Sequence, residues 1–296
     1  MKQTRVVKFG IVSVAIWASG VVAHADTVAY WQFDGDGGGT YSNASVGAGA
    51  YNLVAVGGPF SQSGLSAGAV PNPDATVGFV GSPSANAGSL FSVSNQARYM
   101  ATSGDGSAGL TLAGSSRWTM EGWYNLYAGT GPTIDMLWTT RDSSSSFVGL
   151  SLHVNVAGEL EFVVQQTGLS TNLLSGAGFT TTGLWHHVAM TFDGTAGANG
   201  LFEMFMNGSS VGTLALPVAM NRVTIDTGDV AQLRFAGRAA STNSLAGRLD
   251  EWRLSDAVLA PDQFLNYVPE PSTAALILCG LAMAWRRGRR NAPRVE

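Results

Sequence analysis

Leu184-Trp185-His186-His187-Val188-Ala189-Met190-Thr191-Phe192-Asp193-Gly194 is the stretch whose reading decides the fold class. Within it Val188, Met190 and Phe192 fall on one side, while His187 and Thr191 fall on the other. That period of two belongs to a strand with one apolar face. The same pattern continues downstream. Phe202, Met204 and Met206 alternate with Glu203 and Phe205, then meet Asn207-Gly208, a strong two-residue hairpin signal. Upstream, Trp118, Met120 and Tyr124 share one face of residues 118–127, and Thr119, Glu121 and Trp123 the other. Residues 147–154 and 159–165 read as a strand pair joined through a turn at 155–158. A first strand at 30–33 runs into the Gly-rich loop 34–39, the last strands fall at 233–236 and 249–254, and a helical turn is expected at 261–267.

Roughly a dozen short strands separated by Gly, Ser, Asn and Asp predict an all-β sandwich or barrel in one domain. Composition agrees. The 296 residues include 38 glycines and only 12% charged side chains, against a usual ~25%. Many tight turns fit this composition; helical bundles and coiled coils do not. The charges are unevenly placed: Lys2, Arg5 and Lys8 stand at one end, and Arg286, Arg287, Arg289, Arg290 and Arg294 at the other. Between Asp26 and Pro271 eight arginines face nineteen acids, a net charge of −11. Such a body repels phosphate backbones, which excludes nucleic acid as a partner. Cys279 is the sole cysteine, so neither an intrachain disulfide nor a Cys-ligated zinc site is possible.

Residues 1–25 have the three parts of a secretory signal: a basic start, an apolar run, and Ala23-His24-Ala25 with small residues where a signal peptidase cuts. Residues 268–296 begin with Val268-Pro269-Glu270-Pro271, continue through a thirteen-residue apolar run at 273–285, and close on Arg286-Arg287-Gly288-Arg289-Arg290. The run is short of the ~20 residues that span a bilayer comfortably, and the arginines would stay cytoplasmic. This tail resembles the PEP-CTERM sorting signal of Gram-negative bacteria. The resemblance implies that an exosortase-type protease recognises Pro269, Glu270 and Pro271, ahead of the helix and Arg286-Arg287, and links the protein to extracellular polysaccharide and biofilm. A permanent single-span anchor is the other reading, with the same topology.

The body between, residues 26–267, resembles the laminin-G-like, concanavalin A-like jelly roll. Trp118-Thr119-Met120-Glu121-Gly122-Trp123 is similar to that family's FT-EGWV strand, and Trp185-His186-His187-Val188-Ala189 to its WHHVA signature. Phe205-Met206-Asn207-Gly208 resembles the YVNG hairpin. Gly247-Arg248-Leu249-Asp250-Glu251-Trp252-Arg253-Leu254 resembles the closing G-IDEVRI strand. The resemblance implies two antiparallel sheets packed face to face, flanked here by a signal helix and a transmembrane sorting helix.

Catalytic signals are weak. Gly64-Leu65-Ser66-Ala67-Gly68 and Gly208-Ser209-Ser210-Val211-Gly212 match the G-x-S-x-G pattern, but neither serine stands between a strand and a helix. His186 and His187 are strand neighbours and point to opposite faces, so they cannot converge on one metal; they read as structural. Jelly-roll glucanases carry an E-x-D-x-x-E run, absent here; Glu159 and Glu161 share a face and read as solvated strand acids. Calcium is the one cofactor the resemblance suggests, held between the first and last strands by Asp34 and Asp250. Exposed aromatics could stack on sugar rings; the sequence does not tell which of Trp31, Trp123, Trp138 and Trp185 is exposed, so no ligand-binding residue is named. The expected function is a secreted, non-enzymatic protein that binds glycan or exopolysaccharide; the alternatives are a jelly-roll polysaccharide hydrolase and a ligand-free structural surface protein.

Overall fold

The computed structural model describes residues 27–31, 33, 40–41, 52–56, 89–92, 99–102, 116–127, 134–141, 149–166, 168–220, 232–238 and 243–265. The signal segment 1–25 and the sorting tail 268–296 lie outside them, as do Asp34 and Ser66. Among the described residues no helix is long and apolar enough to cross a membrane.

These residues form fifteen strands. In chain order they are β1 (Thr27–Trp31), β2 (Thr40–Tyr41), β3 (Leu53–Val56), β4 (Leu90–Ser92), β5 (Tyr99–Thr102), β6 (Arg117–Leu126), β7 (Asp135–Thr139) and β8 (Gly149–Val154). There follow β9 (Leu160–Gln166), β10 (Leu169–Leu174), β11 (Trp185–Asp193), β12 (Leu201–Met206), β13 (Ser209–Ala215), β14 (Arg234–Phe235) and β15 (Gly247–Ser255). The first sheet has the order β1-β15-β6-β11-β12-β13, with β4 also on β15. The second has the order β10-β9-β8-β7-β14-β5-β3-β2. Every pairing is antiparallel. The expected all-β, two-sheet antiparallel sandwich is what forms.

Alternation drives the packing. Trp118, Met120 and Tyr124 of β6, Val188, Met190 and Phe192 of β11, and Phe202, Met204 and Met206 of β12 all enter one buried cluster. Leu150 and Leu152 of β8 and Phe162 and Val164 of β9 meet them from the second sheet. The rings interlock across the gap, with Phe162 and Phe202 centroids 4.9 Å apart and Trp31 and Phe235 5.1 Å apart. Each such side chain contributes about 1.5–3 kcal/mol by leaving water. The Asn207-Gly208 hairpin joins β12 to β13 with both residues at positive φ, 49° and 80°, as a type I′ turn demands.

One close approach organises the first sheet. The β15–β6 register shifts between Asp250 and Arg253, and Glu251 sits there at φ 49°. This bulge turns Trp252 into the core directly against Gly122, where a Cβ would lie 2.3 Å from the indole. The glycine between Glu121 and Trp123 is there to admit Trp252.

Three elements differ from what the sequence suggested. β1 begins earlier, at Thr27, and stops at Trp31, with Phe33 beyond it at φ 54°. The strand expected at 233–236 is only Arg234–Phe235, because Ala236 turns out at φ 61°. The helical turn expected at 261–267 is a 3-10 turn at Pro261–Gln263.

Residues 256–265 then cross back over the outward face of the first sheet. Thr119 Oγ1 donates to Ala257 O at 2.7 Å and accepts from Leu259 N at 2.9 Å. Leu259 and Phe264 pack with Ala189 and Phe205 in a small second apolar cluster.

Candidate functional site

The first sheet's outward face is built by the alternate residues that the core does not take. On β6 these are Thr119, Glu121, Trp123 and Asn125, with Tyr127 just beyond the strand. The register places Trp185 opposite Asn125, His187 opposite Trp123 and Ala189 opposite Glu121. On the other flank Arg248 stands opposite Asn125, Asp250 opposite Trp123 and Arg253 opposite Glu121. Phe91 of β4 lies opposite Arg248.

One half of this face lies under residues 256–265, which form a strap across it, and is closed. Glu121 is fully buried, and its Oε1 accepts from Arg253 Nε at 2.8 Å and from Arg253 Nη2. Its Oε2 lies 3.0 Å from His187 Nε2 and accepts from Leu265 N at 2.8 Å. Arg253 Nη2 also donates to Gln263 O at 2.7 Å, tying the strap from its other side. Burial by itself would raise the Glu121 carboxyl. The His187 hydrogen bond, the Arg253 and His187 charges and the Leu265 amide outweigh it and hold the group below its usual range. This is a structural ion cluster in which both Glu121 oxygens are engaged, while the other His187 ring nitrogen, Nδ1, is buried with no hydrogen-bond partner among the described residues.

The other half is aromatic and partly open. Trp123 and Trp185 are diagonal neighbours on adjacent strands, each half-buried. Phe91 and Tyr127 are half-buried beside them, ring centroids 5.2 Å apart in an edge contact. Arg248 Nε donates to Tyr127 Oη at 2.5 Å, and its guanidinium stacks over the same ring at 5.6 Å. Asn125 is 8% exposed, and its buried Oδ1 has no hydrogen-bond partner among the described residues. Flat indole surfaces next to an amide and a guanidinium suit a ligand with apolar C–H faces and polar edges.

Of the four tryptophans whose exposure the sequence leaves open, the structure brings Trp123 and Trp185 together on this face. It buries Trp31 and Trp138 completely in the core. Asn125 and Tyr127 were missed, although extending the β6 alternation reaches them. Phe91 and Arg248 had no local signal, because their positions depend on pairings with strands far away in sequence.

The remaining candidates fall into place. His186 lies on the core side against the Tyr124 ring at 5.6 Å, and burial holds its imidazole below the usual value. His187 faces the other way, against Glu121, so the pair does diverge. Ser210 is exposed on β13 and donates to Glu203 Oε1 at 2.5 Å; the chain there remains a strand. Glu161 is not a simple solvated acid. The β8–β9 register sets His153 opposite it, with Nε2 3.4 Å from Oε2, and Asn172 Nδ2 donates to Oε1 at 2.7 Å. The His153 contact leads in pulling its pKa down to about 2.

The signal-cleavage residues Ala23 and Ala25 and the sorting residues Pro269, Glu270, Pro271, Arg286 and Arg287 lie outside the described residues; of the calcium pair, Asp34 does too, and only Asp250 can be placed. It is 2% exposed, and its Oδ1 accepts from Glu251 N at 2.9 Å. Burial pushes the neighbouring Glu251 carboxyl up to about 7, and its Oε2 has no hydrogen-bond partner among the described residues. Two adjacent carboxyls, one of them unfavourably buried, are the kind of hard oxygen donors calcium takes. Among the described residues, however, no group of three or more His, Cys, Asp and Glu could hold a metal ion.

Several solved structures are similar to this chain. Domain 4 of AbnA, a GH43 extracellular arabinanase from Geobacillus stearothermophilus, solved with arabinotriose, is 15% identical with a TM-score of 0.52, covering 82% of this chain and 97% of its own. The binding domain of botulinum neurotoxin serotype D is 10% identical with a TM-score of 0.51, covering 86% of this chain and 52% of its own. The CBM40 of the Ruminococcus gnavus IT-sialidase, bound to α2,3 sialyllactose, is 18% identical with a TM-score of 0.46, covering 60% and 94%. At these identities the likeness to the arabinanase and neurotoxin domains is one of fold alone. No curated protein matches the chain. A laminin-G-type family model, described as the concanavalin A-like lectin/glucanases superfamily, matches residues 94–263, and the protein belongs to that superfamily.

Proposed function

We propose that the protein is a non-catalytic glycan-binding domain whose contact surface is the Trp123–Trp185 half of the first sheet's outward face. The observation that carries this reading is the pairing of two half-buried indoles on one face with a buried Asn125 Oδ1 on β6 that has no hydrogen-bond partner among the described residues. A sugar ring offers C–H faces to the indoles and hydroxyls to Asn125 and Arg248. Arabinotriose on a domain of the same fold is in keeping with an oligosaccharide ligand. We further propose that residues 1–25 direct export and that the tail from Pro269 onward is processed by an exosortase-type protease. The domain would then stand outside the inner membrane or on the surface of a Gram-negative cell. Calcium, held by Asp34 and Asp250 with Glu251 as an added oxygen donor, would steady the bulge beside Trp123.

A panel of plant and bacterial polysaccharides, read by affinity electrophoresis, tests the reading. Retardation on at least one neutral glycan, lost in the Trp123→Ala/Trp185→Ala double variant, is the expected result. Retardation that survives the double variant would refute the site. Release of reducing ends by the purified protein would assign a hydrolase instead.

A further inference from the structure

Strand β15 carries two arginines on the first sheet's outward face, Arg248 and Arg253, each 7% exposed. Arg253 stands opposite Glu121 in the β15–β6 register and takes that carboxylate as its partner. Arg248 stands opposite Asn125, where β6 offers a neutral amide instead. The polar contacts of its side chain are with Tyr127 alone: Nε donates to the phenol oxygen and the guanidinium stacks over the ring. No carboxylate among the described residues lies within ion-pair distance of it. Asp250, next on this flank, turns its Oδ1 to the Glu251 amide at 2.9 Å. Two arginines equally sunk in one strand therefore differ in one respect, the presence of a counter-ion. A charge so far removed from water is costly without one, and a stacked ring offsets only part of that cost.

The donors that remain are open. Arg248 Nη1 and Nη2 and Asn125 Nδ2 make no hydrogen bond among the described residues, and none of the three atoms is fully buried. The registers place Trp185, Asn125, Arg248 and Phe91 in one row across β11, β6, β15 and β4. At the ~4.8 Å spacing of paired strands, the indole and the guanidinium start about 10 Å apart, with the amide between them.

We propose that this row makes the indole shelf selective for glycans in which a uronic acid follows a neutral sugar, an inference that rests on the glycan-binding reading above. The neutral ring lies on the indoles. The carboxylate of its neighbour accepts from the Arg248 Nη atoms and from Asn125 Nδ2, taking at Arg248 the place that Glu121 holds at Arg253. A body with eight arginines against nineteen acids repels a densely charged polyanion, so the ligand carries its carboxylates singly among neutral sugars.

The test is calorimetric titration of the full chain with three such oligosaccharides, fragments of glucuronoxylan, hyaluronan and rhamnogalacturonan, each beside its carboxyl-reduced counterpart. At least one acidic form should bind, ~10-fold or more tighter than its reduced form. Arg248→Gln should bring the two affinities to within ~2-fold of each other. Asn125→Asp, which sets a protein carboxylate opposite Arg248, should do the same. The ratio is the readout because general damage to the shelf weakens both forms alike. Trp123→Ala/Trp185→Ala should weaken both. Equal affinity of the acidic and reduced forms for the wild type, or a preference that survives Arg248→Gln, would overturn the inference and leave the glycan-binding reading standing. Undiminished binding of the acidic form by the tryptophan variant would overturn it as well. Binding of neither form in any of the three pairs would also overturn it, and the parent reading falls with it only when the neutral polysaccharides are not retarded either.

Discussion

Strands β6, β11 and β15 carry two neighbouring surfaces whose fates are opposite. Around Glu121 the outward face is closed by residues 256–265, and a buried carboxylate holds Arg253, His187 and the Leu265 amide. Two residues further along the same strand, Trp123 begins a surface with half-exposed rings and an Asn125 oxygen that no described residue satisfies. A carboxylate with both oxygens engaged under a strap holds a structure together. An unsatisfied amide oxygen beside open aromatic rings is set up to receive something. Gly122, between the two, joins them, since its missing side chain seats Trp252 beneath both halves.

Substitutions can break this contrast one half at a time. The largest loss of stability is expected from Glu121→Ala, which strands buried Arg253 and His187 and frees the strap. It should cost about 3–5 kcal/mol in urea unfolding, while the molecules that remain folded bind glycan normally. Gly122→Ala forces a methyl to within 2.3 Å of the Trp252 indole. A cost of about 1–3 kcal/mol is expected, with disturbance on both sides, so thermal stability and glycan affinity should fall together. Trp123→Ala/Trp185→Ala acts on the open half: affinity should drop by about 2 kcal/mol, or ~30-fold, with a smaller loss of stability than Glu121→Ala causes.

Glu251, at the bulge flanking the open half, gives the smallest effect and one that depends on pH. Its folded pKa of about 7 lies above the usual carboxylate value of 4.5. The folded protein therefore holds a proton that the unfolded chain has lost, and stability falls as pH rises from near 4.5 through 7. In EGTA, Glu251→Gln should stabilise the domain at pH 8 by about 1–2 kcal/mol, discounted for partial exposure, and do nothing at pH 4. In calcium the wild type should gain stability at pH 8 that the variant does not. Denaturation curves at the two pH values, with and without the metal, decide both points.

The contrast was half legible in the sequence. Alternation in residues 118–127, 185–192 and 202–206 fixed which side chains enter the core, because a two-residue period leaves no other assignment once one face is apolar. It also separated His186 from His187 correctly. Trp138 escaped this reasoning because the β7–β8 register shifts between Met136 and Trp138, which breaks the alternation locally. Glu121 read as part of a strand motif and not as the anchor of the strap, since Arg253 and Leu265 are distant in sequence. Pairings of that range, like Phe91 with Arg248, are set by the tertiary fold and leave no periodic trace. Glu161 looked solvated for the same reason: its partners His153 and Asn172 come from the strands on either side.

Oxidative footprinting of the tryptophans, with and without a retained neutral glycan, tests the binding surface most directly. Ligand should lower the oxidation of Trp123 and Trp185 and leave that of core Trp31 and Trp138 unaltered. Unchanged oxidation of Trp123 and Trp185 at saturating glycan would contradict the account.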